Sequence, residues 1–364
     1  MMNRYFILVV LFILASCQSD DTIDPIIEDD TDTPSAPDVS LYFPSTSTNE
    51  WETIAPNEIN WNTDKLEELR SFLIGENTKS FMVLLNGRIV VEDYYNGHTA
   101  SDTWQWNSAG KTLVTATVGI AQQNSLINIE NKVSDYLGTD WTSTTPQQED
   151  LITVKNLLSM TSGLDDEPQV VIKRNLTYLA DAGTRWAYGN VFQRLMNVVE
   201  DASGTEFETY FNNELGDRIG MNGFWNNGLI YRIYNSDTRS MAKFGLLASQ
   251  NGNWDGTQIV DENFFIESKT TSQNINPSYG YLWWLNGKNK YMLPSSQTEY
   301  DGTLVPNAPN DMVAAMGKDE QRIYIVPSSN LVILRMGEAT VSGDNFALSS
   351  FDNMFWEKFN EVIK

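Results

Sequence analysis

The chain has 364 residues, with 48 Asp and Glu against 24 Lys and Arg, one His and one Cys. A net charge of −24 repels polyanions and argues against a nucleic-acid partner. A single histidine and a single cysteine cannot build a zinc site from those side chains or close an internal disulfide.

The first segment, Met1-Met-Asn-Arg-Tyr-Phe-Ile-Leu-Val-Val-Leu-Phe-Ile-Leu-Ala-Ser-Cys17, has one basic residue, a short apolar core and a small-residue exit. It reads as a secretory signal over residues 1–17, too short for a spanning helix. Leu14-Ala-Ser-Cys17 resembles a bacterial lipobox, which implies lipidation of Cys17, anchoring in the bacterial cell envelope as an outer-membrane lipoprotein, and membrane as a partner through the lipid. Residues 18–40 hold eight acids and no base, interleaved with Pro and Thr, the composition of an extended acidic tether. Cys-Gln-Ser-Asp-Asp, residues 17–21, also resembles the acidic signal with which some Bacteroidetes-type bacteria send lipoproteins to the cell surface.

Residues 41–364 contain no second linker or repeat, and the chain's 11 Trp, 15 Tyr and 16 Phe supply a large core, so one two-lobed domain is expected. A helix is expected over Asp64–Leu73. A hairpin follows over Ser80–Tyr94, turned at Asn86-Gly87. Thr112–Ile120 reads as a buried helix, closed by Gln122-Gln123-Asn124. The middle of the chain reads as mainly helical. Met312–Ala315, Arg322–Val326 and Leu331–Arg335 read as successive strands, with a helix from about Asn345. Strands at both ends around a helical centre predict an α+β fold, with one antiparallel sheet formed from both chain ends, flanking helices and a mainly helical lobe.

Ser108 and Lys111 stand at the mouth of the buried run, and residues three apart on a helix share a face. Burial removes water from an ammonium and favours its neutral form, which can accept the serine proton; Ser108 is then a nucleophile and Lys111 its base. Backbone N–H groups at a helix start lack partners, so that of Ser108 is available to an oxyanion. Ser240 and Lys243 repeat the spacing within an amphipathic stretch that reads as a packing helix. The lone histidine, His98, sits just past the hairpin and is expected at the surface or a strand end. No Gly-x-Ser-x-Gly segment is present, so a Ser-His-Asp triad is not expected.

Around these residues the chain resembles the serine β-lactamase and penicillin-binding-protein family, nearest to class C β-lactamases, related esterases and 6-aminohexanoate-dimer hydrolase. The resemblance runs through the hairpin, Ser108 to Lys111, Leu157-Leu-Ser-Met-Thr-Ser-Gly-Leu164, Tyr188-Gly-Asn190, Arg239–Gly245 and Tyr279-Gly-Tyr-Leu-Trp-Trp284. It implies a β-lactamase/transpeptidase-like fold and an acyl-enzyme on Ser108. Lys111 and Tyr188 would be base and acid, with a lysine charge favouring the phenolate. Asn190 would face the substrate's acyl side or Lys111. Tyr-x-Asn also occurs at Tyr94 and Tyr210, and context selects Tyr188.

Two departures stand out. Met160 replaces the family's usual histidine. Ala315-Met-Gly317 lacks the Lys or His at position 315 that helps hold a substrate carboxylate, although Gly317 and the N–H of Lys318 can still complete an oxyanion hole. The resemblance therefore implies a serine hydrolase of small-molecule or peptide-like esters or linear amides rather than a true β-lactamase, with no cofactor. D-alanyl carboxypeptidase, β-lactamase and a non-catalytic surface binding protein remain as alternatives.

Overall fold

The apolar, β-branched runs near 80–94 and 313–337 suit a pleated sheet covered on both faces, and the computed structural model makes them its central sheet. The described residues are 40–227, 232–342 and 349–364. They belong to one compact unit, Pro37–Lys364. Cys17, residues 18–39 of the acidic stretch and Asn345 lie outside the described residues.

Helix α1 (Thr63–Gly75) precedes strands β1 (Thr78–Leu85) and β2 (Arg88–Tyr94). The hairpin turns on Asn86 (φ 49°) and Gly87 (φ 81°), two left-handed residues as a type I′ turn requires. Glycine is also needed sterically, because a Cβ on residue 87 would lie 1.9 Å from the Tyr42 carbonyl oxygen. A small sheet of β3 (Trp104–Gln105), β4 (Gly223–Asn227) and β5 (Arg232–Ser236), in the order β3-β5-β4, lies within the stretch read as mainly helical. Its short strands carry too little alternation to be seen in sequence.

The main sheet is completed by β6 (Trp284–Leu285), β7 (Val313–Gly317), β8 (Gln321–Val326) and β9 (Leu331–Gly337). Its order is β2-β1-β9-β8-β7-β6, antiparallel throughout. Thr78 stands opposite Gly337 and Leu85 opposite Leu331, so early and late strands share one sheet as expected.

Helix α2 (Lys111–Gln123) is buried from Lys111 to Ala121, the fate of a helix apolar on every side. Its threonines satisfy their hydroxyls locally or on a neighbour: Thr112 donates to Ala109 O and Thr117 to Leu113 O, each at 2.8 Å, and Thr115 donates to Tyr281 O at 2.8 Å. Helix α3 (Arg194–Ser203) packs against α2. Helix α4 (Thr238–Ser249) covers one face of the main sheet. Gly245 is what allows that approach, since a Cβ there would lie 2.6 Å from Val332 Cγ1. On the opposite face α5 (Ser350–Ile363) brings Phe355 against Phe81 and Tyr324, with ring centroids 5.9 and 5.6 Å apart. It also brings Asp352 to Arg322 of β8, both fully buried.

His98 lies just past the end of β2, half-buried, with its side chain turned inward rather than to the surface. Its side chain is tucked between Tyr94 and Trp104, with Asp102 Oδ2 4.0 Å from Nδ1. The aromatic neighbours offer more apolar contact than a strand end facing water.

Candidate active site

Ser108 does not sit on α2 itself. Asn107–Gly110 form a turn of 3-10 helix that leads into α2 at Lys111. Asn107 adopts φ 49°, a left-handed conformation that asparagine tolerates better than most residues. This sharp turn is held from outside, because Asn107 Nδ2 donates to the Lys318 carbonyl at 2.9 Å. The turn that carries Ser108 is thereby tied to the end of β7.

Lys111 Nζ donates to Ser108 Oγ at 2.7 Å. The ammonium is buried under two aromatic faces, 4.7 Å from the ring centroid of Tyr188 and 4.5 Å from that of Phe192. With no carboxylate to repay its desolvation, the Lys111 pKa is pushed down to about 7. Near neutral pH a large fraction of the side chain is therefore an amine, which accepts the serine proton instead of donating.

Tyr188 is also buried, with its ring against the Lys111 side chain and its phenol within electrostatic reach of Ser108. Burial pushes its pKa up to about 12, against smaller opposing effects from nearby Ser108 and the Arg322 charge. This corrects the expectation that a lysine charge favours the phenolate. Lys111 has itself lost much of its charge, and the protonated phenol is the form held at neutral pH. The charge that reaches Tyr188 comes from Arg322.

The strand β7 passes close behind Ser108. A Cβ on Gly317 would lie 2.5 Å from Trp106 O, 2.8 Å from Ala109 N and 3.0 Å from Ser108 N, so only glycine lets the strand run there. Its φ is ordinary for a strand, −126°, and space alone demands the glycine. Arg322 Nη1 donates to the Gly317 carbonyl at 2.7 Å while Nε and Nη2 clasp Asp352 at 2.7 and 3.0 Å. The buried guanidinium thus fixes the edge that Gly317 and Lys318 present to Ser108. Arg322 carries no position in a motif, and although its charge makes it a sequence candidate for the cation missing at position 315, only its place beside Gly317 shows this bracing role; no motif marks Asn107 or Phe192 either.

A cleft of about 280 Å³ opens at Ser108 and Lys111, and Asn190 and Lys318 line it. Asn190 does not reach Lys111. Its Nδ2 donates to the backbone and side-chain oxygens of Gln169 at 2.9 and 3.3 Å, which fixes one wall of the cleft. Ala315 is fully buried and brings no cation to it. Met160, in the histidine's place, is buried with φ 59°, and its carbonyl accepts from Ala187 N at 2.8 Å, which helps set the segment leading to Tyr188.

The competing pair is spent on structure. Ser240 Oγ accepts from Asn222 N at 2.7 Å and donates to Asn222 O at 3.2 Å, and Lys243 Nζ donates to Gly220 O at 2.6 Å. The other two tyrosines are also engaged elsewhere: Tyr94 donates to Glu92, and Tyr210 accepts from Asn124. Among the described residues no group of His, Cys, Asp and Glu is arranged to hold a metal.

Comparison with known proteins follows the same lines. The β-lactamase family profile matches residues 77–338. Solved structures similar to the chain include a candidate β-lactamase from Bacteroides dorei DSM 17855, 16% identical with TM-score 0.66, covering 84% of this chain and 99% of its own. A candidate 6-aminohexanoate-dimer hydrolase from Bacillus anthracis is 18% identical with TM-score 0.64, covering 89% of each chain. A family VIII carboxylesterase is 14% identical with TM-score 0.63, covering 82% of this chain and 96% of its own. No curated protein is significantly similar to the chain. With a family match over most of its length and a β-lactamase/transpeptidase-like sheet and helices around Ser108, the chain belongs to the β-lactamase family of hydrolases.

Proposed function

We propose that the protein is a serine hydrolase that cleaves esters or linear amides through an acyl-enzyme on Ser108. The observation that carries this reading is the 2.7 Å contact between Ser108 Oγ and a lysine whose pKa burial pushes down to about 7. Ser108 Oγ attacks the substrate carbonyl as neutral Lys111 takes its proton. The backbone N–H groups of Ser108 and Lys318 hold the oxyanion. Tyr188 passes a proton to the leaving group and is reprotonated from Lys111. Water then attacks the acyl-enzyme by the reverse route, releasing the acid and restoring Ser108.

Ala315 decides between substrates. A lysine or histidine there would give a β-lactam carboxylate a charge-assisted hydrogen bond worth about 1.5–3 kcal/mol, a ten- to hundredfold effect on kcat/KM. Activated short-chain esters should therefore be turned over well ahead of cephalosporins. The test is kcat/KM for a p-nitrophenyl ester and a chromogenic cephalosporin, on the wild type and on Ala315→Lys. A wild type that hydrolyses the cephalosporin faster than the ester contradicts the assignment.

The lipobox-like Leu14-Ala-Ser-Cys17 supports a lipid-anchored envelope protein. A radiolabelled fatty acid should enter the wild type and be lost in Cys17→Ala, and mature protein free of lipid in its native host would refute the anchor.

A further inference from the structure

The cleft at Ser108 runs against the electrostatics of the chain around it. The protein carries a net charge of −24, yet among the described residues no Asp or Glu lines the cleft, whereas Lys111, Arg232 and Lys318 do. Two of these cations are already spent. Lys111 is desolvated toward its neutral form on Ser108, and Arg232 Nη1 is neutralised by Glu200 Oε1 at 2.7 Å.

The neutral polar groups of the walls are committed as well. Asn190 binds Gln169, Gln193 takes both the N–H and the carbonyl of Arg232, and Asn107 holds the Lys318 carbonyl. Lys318 is exposed, and among the described residues no carboxylate meets its ammonium within ion-pair distance. Among the described residues it is the one charged group of the cleft left for a ligand.

We infer that the Lys318 side chain is the anion-recognition element of the cleft, and that the preferred substrates are acyclic esters or amides whose acyl chain carries a carboxylate. The inference rests on the proposed acyl-enzyme chemistry for where the reacting carbonyl sits. The Lys318 backbone stands beside that carbonyl, and a flexible four-carbon stem carries the ammonium a few bonds further along a bound acyl chain. A β-lactam holds its carboxylate rigidly on a ring, where the absent cation of position 315 would be needed. An acyclic chain can turn its carboxylate toward Lys318. The Asp319 carboxylate touches Asn107 Nδ2 at 3.5 Å and forms no ion pair with Lys318, and screening confines the repulsion of more distant acids to within about 8 Å at physiological ionic strength, so the Lys318 ammonium is the group that faces a bound anion.

The test compares mono-4-nitrophenyl glutarate with its neutral isostere, 4-nitrophenyl glutaramate, on the wild type, Lys318→Met, Lys318→Glu and Lys318→Arg. The readout is the ratio of the two kcat/KM values within each protein, which cancels any loss of folding or of oxyanion geometry. The wild type should favour the anionic ester; the ratio should fall about tenfold in Lys318→Met, as expected for one charge-assisted contact, invert in Lys318→Glu and recover in Lys318→Arg. A ratio that stays the same across the series overturns the inference and leaves the hydrolase reading standing.

A wild type that cleaves neither ester fails the hydrolase reading instead, and a second arm still judges Lys318. Equilibrium binding of the uncleaved esters to Ser108→Ala, read by tryptophan fluorescence, should show the same preference and lose it in the double variant Ser108→Ala/Lys318→Met. Equal affinity for both esters in Ser108→Ala would refute the anion site.

Discussion

Lys111 should cost the fold stability, and the cost should depend on pH. In the folded state its pKa is pushed from 10.5 to about 7 by burial alone, so the unfolded chain binds a proton that the native state gives up between those values. Stability therefore rises with pH across that window, and the full penalty is present below pH 7. At pH 6 the penalty is about 5 kcal/mol and at pH 9 about 2 kcal/mol. Lys111→Met keeps an unbranched stem in the same aromatic slot and removes the charge. It loses the hydrogen bond to Ser108, worth about 1 kcal/mol. Urea melts of the wild type and Lys111→Met at both pH values should show the variant more stable at pH 6 by about 3–4 kcal/mol, with the advantage shrinking by about 3 kcal/mol at pH 9. A variant less stable than the wild type at pH 6, or a difference that does not change with pH, would refute a neutralised buried lysine.

Other predictions follow from the same geometry. The pH profile of kcat/KM for a neutral ester should rise through an apparent pKa near 7 as Lys111 loses its proton and show no fall below pH 10, because Tyr188 titrates only near 12; a descending limb between pH 7 and 9 would contradict the assignment of acid and base. Gly317→Ala should lower kcat by about a hundredfold, since the added methyl displaces the oxyanion edge from Ser108, while the far-UV spectrum stays native; full activity would show that the strand does not serve the site. Asp352→Ala takes the carboxylate from the buried Arg322 guanidinium and should cost about 3–5 kcal/mol in a chemical melt; a loss under 1 kcal/mol would mean that water reaches the pair.

The sequence pointed to Ser108 and its two partners more clearly than to what surrounds them. Ser108, Lys111 and Tyr188 stand in motifs whose spacing reflects contact within one turn or one loop; Ser108 and Lys111 line the cleft, and Tyr188 is buried against Lys111. The helix at 63–75, the hairpin turned at Asn86-Gly87 and the last three strands were legible because each has a strong local period or turn signal. What was lost is what depends on distant partners. The role of Asn107 needs Lys318, more than two hundred residues away; Arg322 matters through Gly317 and Asp352; and Asn190 turns to Gln169 because that loop happens to pass its amide. The proton inventory was also hidden. A lysine beside a tyrosine reads as a charge that favours phenolate, until burial without a counter-ion takes the proton from the lysine and leaves the phenol protonated.

The central claim is that Ser108, and no other serine, is the nucleophile. A fluorophosphonate probe incubated with the folded protein, followed by peptide mass mapping, tests it most directly. The expected result is a single adduct on Ser108, absent from Ser108→Ala and slowed in Lys111→Met, with Ser240 unlabelled because both of its hydrogen bonds are taken by Asn222. An adduct on Ser240, or no adduct on folded protein, would contradict the account.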